Sequence, residues 1–128
     1  MKTTIRNLTL TVGLLLSGSA GAHESATKGP NGGQLLDAPG GHWELVAKGG
    51  ELSLYVIDAA EKPVATKAAK GTATVLVGGK TIAVELAPAE PNMLQGKGDF
   101  VSEKGMKVII SVQNLGDKPG TVRFTPLE

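Results

Sequence analysis

No cysteine occurs in the 128-residue chain, which removes disulfides, thiolate metal sites, thiol nucleophiles and redox relays together. Aromatic residues are scarce. Trp43, Tyr55, Phe100 and Phe124 are the full set, too few for a carbohydrate platform or a base-stacking surface. Neither sign of charge dominates, with 13 Lys and Arg against 12 Asp and Glu. Nucleic acids and anionic membrane surfaces need a basic footprint, so neither is expected as a partner. No apolar run is long enough to span a bilayer. Two histidines and no Gly-x-Ser-x-Gly elbow leave little material for a hydrolytic triad. Gly79-Lys80-Thr81 ends like a phosphate-binding loop, but Thr74 stands where that loop requires glycine. The aspartates are scattered through turn contexts and form no calcium loop. The chain is not expected to be an enzyme.

What is present begins with an export signal. Lys2 and Arg6 form a positive start, residues 8–16 an uncharged apolar run, and Ala20-Gly21-Ala22 a small-x-small cleavage pattern. Residues 1–22 are therefore expected as a cleaved signal peptide, with the mature chain starting at His23 in the periplasm. The remaining 106 residues carry 11 basic and 12 acidic side chains, enough chain for one domain with a single core.

Residues 23–33 (HESATKGPNGG) are polar and rich in turn formers, and read as a flexible leader or an ordered loop. From Gln34 onward the hydropathy has period two. Leu52, Leu54 and Val56 alternate with Ser53, Tyr55 and Ile57; Ala73, Val75 and Val77 form a second such row. Ile82, Val84 and Leu86 form a third, and Met106, Val108, Ile110 and Val112 a fourth. Rows of this kind, rich in β-branched residues, predict half-buried strands. Gly49-Gly50 and Gly78-Gly79 predict tight hairpin turns. Residues 87–92 (APAEPN) suit a crossover between sheets, and residues 62–65 (KPVA) suit an edge strand. The expected fold over residues 34–128 is all-β: a small antiparallel β-sandwich, Ig-like, of about seven or eight short strands.

The candidate chemistry lies at two histidines. At the start of a mature chain, the α-amine and imidazole of His23 can close a chelate ring on one ion, with Cu(II) or Ni(II) preferred. A proton competes for the amine, so affinity should rise with pH. His42 sits in Gly41-His42-Trp43-Glu44-Leu45. With Trp43 and Leu45 pointing inward, alternation places His42 and Glu44 together on the outer face, a half-site for a divalent ion. A bend at residues 29–33 would let His23 meet His42, so that His23, His42 and Glu44 make a Cu(II) or Zn(II) site. Met93 and Met106 are soft donors suited to Cu(I), but no Met-x-Met pair exists and both read as packing residues.

His23 followed by Gly29-Pro30-Asn31-Gly32-Gly33-Gln34-Leu35, then Gly41-His42-Trp43-Glu44-Leu45-Val46, resembles a recurrent exported β-domain. So do Leu52-Ser53-Leu54-Tyr55-Val56, Lys62-Pro63-Val64 and residues 75–81 (VLVGGKT). That domain occurs as short periplasmic proteins and near the N-terminus of periplasmic adaptor subunits of heavy-metal efflux systems. The resemblance implies association with copper, zinc, cobalt or related cations, with histidines of the leader and first strand as ligands. It also implies an efflux adaptor or another envelope protein as partner. The expected function is metal binding or handling linked to heavy-metal resistance or efflux. The alternative is a β-sandwich interaction module that docks on an envelope or efflux partner without metal.

Overall fold

The computed structural model describes residues 27–89, 91–115 and 119–127. Every regular element among them is a strand: β1 (Thr27–Lys28), β2 (Gln34–Ala38), β3 (Gly41–Lys48), β4 (Glu51–Asp58), β5 (Lys70–Val77), β6 (Lys80–Ala89), β7 (Met93–Lys97), β8 (Lys107–Gln113) and β9 (Gly120–Phe124). No helix among the described residues is long and apolar enough to cross a membrane. The strands form one antiparallel sheet in the order β1-β2-β3-β4-β7-β6-β5-β8-β9. The all-β, antiparallel expectation is thus met, with nine strands among the described residues where about seven or eight were expected.

Alternation in the sequence becomes alternation of burial. Leu45, Leu54 and Leu94 are in register across β3, β4 and β7, and all three are fully buried. Val84, Ala73 and Ile110 make a matching row across β6, β5 and β8, equally buried. The sheet curls so that these rows face one another, and Phe124 and Met106 complete the interior. Burial of these apolar side chains is the main stabilising term, because each of them larger than Ala73 contributes on the order of 1.5–3 kcal/mol.

The curl turns on β6. Its residues 80–86 pair with β5, whereas 87–89 pair with β7. The chain therefore changes layer within a strand, and the crossover between sheets expected around residues 87–92 begins at Leu86 to Ala87, inside β6. Pro88 is accommodated opposite Leu94 in the short ladder to β7. Residues 62–65 also differ from expectation. Their pairing to β4 is confined to one isolated bridge, Ile57 to Pro63, flanked by two backbone bonds, Asp58 N–H to the Lys62 carbonyl at 2.8 Å and Val64 N–H to the Val56 carbonyl at 3.1 Å. The Asp58 carboxylate accepts the backbone N–H groups of Ala60 and Lys62, an Asx-type turn that reverses the chain after β4.

The two ends of the sheet meet at Gln34. Its buried side chain accepts the Thr125 backbone N–H at 2.7 Å through Oε1 and donates through Nε2 to Thr125 Oγ1 at 3.3 Å. Beside it, Trp43 packs so closely over Gly120 that an added Cβ would lie 3.0 Å from the indole ring. Gln34→Leu adds apolar surface yet strands the Thr125 N–H, and a buried unpaired donor costs about 1–3 kcal/mol. Urea denaturation should therefore show a loss of stability of that order.

Candidate metal centre

The β2–β3 hairpin builds the site. Pro39 and Gly40 join Ala38 to its partner Gly41; Pro39 presets its own φ and Gly40 takes a φ of 82°, as a two-residue turn of this kind requires. That turn sets Asp37 directly opposite His42, Leu35 opposite Glu44 and Leu36 opposite Trp43. Trp43 and Leu45 are buried in the interior, so His42 and Glu44 share the other face of the sheet.

The two residues have different surroundings on that face. Glu44 is only 2% exposed, because the turn over residues 29–33 lies across it. Its Oε2 accepts the Asn31 N–H at 2.9 Å and the Gly33 N–H at 2.8 Å, while Oε1 accepts the Asn31 side-chain amide at 2.9 Å. The part of the leader within the described residues is therefore an ordered turn between β1 and β2. Gly29 N–H bonds to the Gly33 carbonyl at 2.9 Å, and Gly32 N–H to the Gly29 carbonyl at 3.0 Å. Pro30 and Asn31 occupy the central positions, and Gly32 follows with a φ of 81°, the pattern of a three-residue loop closed by a bulge. An added Cβ on Gly29 would collide with the Glu44 carboxyl. The sequence Gly29-Pro30-Asn31-Gly32-Gly33 is thus explained by turn geometry and by one carboxylate. Three of about four acceptor positions on Glu44 are occupied, so its first task is to anchor the turn. Tyr55, Ile57, Asn92 and Leu35 surround it in a shallow cavity of about 220 Å³.

His42 is paired instead with a residue the sequence reading passed over. Its Nε2 lies 2.9 Å from Asp37 Oδ1, with side-chain exposures of 34% and 95%. Its Nδ1 is buried and has no hydrogen-bond partner. A half-buried ring oriented by a carboxylate, with its second nitrogen unused, is how imidazole ligands are commonly held. The Pro39-Gly40 turn was the available signal for Asp37, since a two-residue connection there fixes the register. Among the described residues no group of three or more His, Cys, Asp or Glu is placed to hold an ion. His23 and residues 1–22, expected as a signal peptide, lie outside the described residues. Met106 is buried in the core, and Met93 faces Tyr55 and Ala89 across its neighbouring strands.

Comparison with family models, with curated proteins and with solved structures finds no match to this chain. The residues themselves therefore carry the functional reading. For an ion, they offer the imidazole of His42, oriented by the carboxylate of Asp37, with Glu44 held back by the turn.

Glu44→Gln tests the anchoring role. An amide cannot accept at both of its terminal atoms, so it leaves a donor facing a donor at Asn31 or Gly33. Stability should fall by about 1–3 kcal/mol, and hydrogen exchange at the Asn31 and Gly33 amides should accelerate before the rest of β2 responds.

Proposed function

We propose that the protein is a periplasmic metal-binding and metal-handling protein, which takes up Cu(II) or Zn(II) as cargo in heavy-metal resistance or efflux. The observation that carries this reading is the His42 imidazole, fixed by Asp37 and left with one unused ring nitrogen. His23, made N-terminal by removal of residues 1–22, supplies an amine and a second imidazole. Glu44 supports the site by holding the turn from which the leader departs. On this reading the curled sheet serves as an Ig-like sandwich scaffold, and an efflux adaptor or another envelope protein receives the ion. An imidazole and an amine are borderline donors that suit Cu(II) and Zn(II), and so small a donor set keeps exchange with a partner open.

The alternative reading, an interaction module without metal, draws on the open groove between β2 and β9, lined by residues of both strands.

Titration of the chain beginning at His23 with Cu(II) separates the two. Metal handling gives a blue-shifted d–d band and a rise in melting temperature, since a ligand that binds only the folded state stabilises it. One additional residue before His23 should abolish the band, and His42→Ala should greatly weaken binding. Asp37→Asn should weaken it roughly 10- to 100-fold, the usual cost of losing a carboxylate that orients a ligand. No band and no stabilisation with Cu(II) or Zn(II) would reject metal handling and favour the docking module.

A further inference from the structure

Asn31 and Gly32 are consecutive in the turn that covers Glu44, and both are exposed to water. Such a pair carries a reaction of its own. The carboxamide carbon of an asparagine can reach the next backbone nitrogen, and glycine leaves that nitrogen without a side chain to shield it. Nothing lies within 4 Å of the position a Gly32 Cβ would take, so the surroundings shield it no better. The other asparagines among the described residues, Asn92 and Asn114, precede Met93 and Leu115, whose side chains crowd the same approach.

In the closed turn both reacting groups are engaged elsewhere. The Gly32 N–H bonds to the Gly29 carbonyl at 3.0 Å, and the Asn31 carboxamide donates to Glu44 Oε1 at 2.9 Å. The Asn31 N–H bonds to Glu44 Oε2 at 2.9 Å, so one carboxylate holds the residue at two points. Ring closure requires the Gly32 nitrogen to lose its proton and the carboxamide to swing toward it. Both require the turn to open and the bonds to Glu44 to break, a local event that does not need the core to unfold.

We infer that Asn31 is a self-modification site, held latent by the Glu44 carboxylate and exposed to reaction whenever this turn opens. The Gly32 nitrogen gives its proton to solvent base and attacks Asn31 Cγ. A new N–C bond closes a succinimide, the Cγ–Nδ2 bond breaks, and the nitrogen takes up a proton and leaves as ammonia. Water then opens either carbonyl of the ring, giving aspartate or isoaspartate at position 31. Nothing is oxidised or reduced, and water is the only other reactant.

Neither product restores the closed turn. Aspartate has no carboxamide N–H for Glu44 and sets a second negative charge against it. Isoaspartate also inserts an extra backbone carbon before Gly32, which moves the Gly32 N–H away from the Gly29 carbonyl. Glu44 is 2% exposed, and a buried charge that loses partners is strongly destabilising. The reaction therefore converts a reversible opening into a permanent one. No ion and neither histidine takes part, so this site stands apart from the metal reading.

The protein, its Glu44→Gln and Gln34→Leu variants and a free peptide of residues 27–35 are held in mildly alkaline buffer. Peptide mass spectrometry follows conversion at residue 31, and hydrogen exchange at the Leu45 and Leu54 amides verifies that each variant is folded. Conversion in the protein should be about tenfold or more slower than in the peptide, and Glu44→Gln should recover about tenfold or more of that rate. Gln34→Leu, destabilised away from Glu44, should convert at the rate of the unaltered protein. Asn31→Asp imitates the product without altering Glu44, and its Gly33 amide should exchange about tenfold or more faster. Equal rates in the protein and the peptide, or in the protein and Glu44→Gln, would overturn the assignment. So would acceleration by Gln34→Leu equal to that by Glu44→Gln, which makes global unfolding the gate, or unchanged Gly33 exchange in Asn31→Asp. Conversion appearing first at Asn92 or Asn114 would overturn it as well.

Discussion

Curling one sheet until its ends meet is the constraint from which the other features of this protein follow. A flat sheet of nine strands would bury one face only against a second element, and the described residues contain no helix to cover it. Folding the sheet onto itself lets the inward rows of β3, β4 and β7 pack against those of β5, β6 and β8. The cost falls on β6, which must serve two neighbours in different layers, and on the two ends, whose backbone groups must find partners near the seam. Gln34 meets part of that need with a buried side chain that behaves like a short piece of backbone toward Thr125.

The outer face of the first layer carries the candidate chemistry because the inner face is fully committed to packing. Within that face, local structure divides the two residues that alternation had grouped. Glu44 is enclosed by the Gly29-Pro30-Asn31-Gly32-Gly33 turn and spends its carboxylate on backbone and side-chain donors. His42, two residues earlier, is past the turn and meets Asp37 instead. A motif that resembles a metal-associated leader is thus first a folding device. It fixes the direction in which the chain approaches β2.

The legible part of the fold was the part in which one residue type answers one physical demand. Leu52, Leu54 and Val56 alternate with more polar neighbours because one face of β4 meets the core, and the same holds for the rows on β5, β6 and β8. The glycine pairs at 49–50 and 78–79 mark hairpins for the same reason. β7 was not legible, because of its five residues only Leu94 is buried, and its two apolar residues, Met93 and Leu94, are adjacent and show no alternation. The Asp37–His42 pair could have been read, since Pro39-Gly40 fixes the register across a two-residue turn. Burial of Glu44 could not, because it depends on a turn that closes over the sheet from outside and leaves no mark in the strand's own alternation.

By itself the sequence determined that this is an antiparallel β protein without thiol chemistry, and which faces of its strands are apolar, since side-chain alternation and residue chemistry are local properties. Tertiary structure alone decided the order of the strands, the bend in β6, and the choice of Asp37 rather than Glu44 as the neighbour of His42. Each of those depends on which distant backbone or side chain reaches a given hydrogen-bonding group first, and that competition is settled only once the sheet has curled.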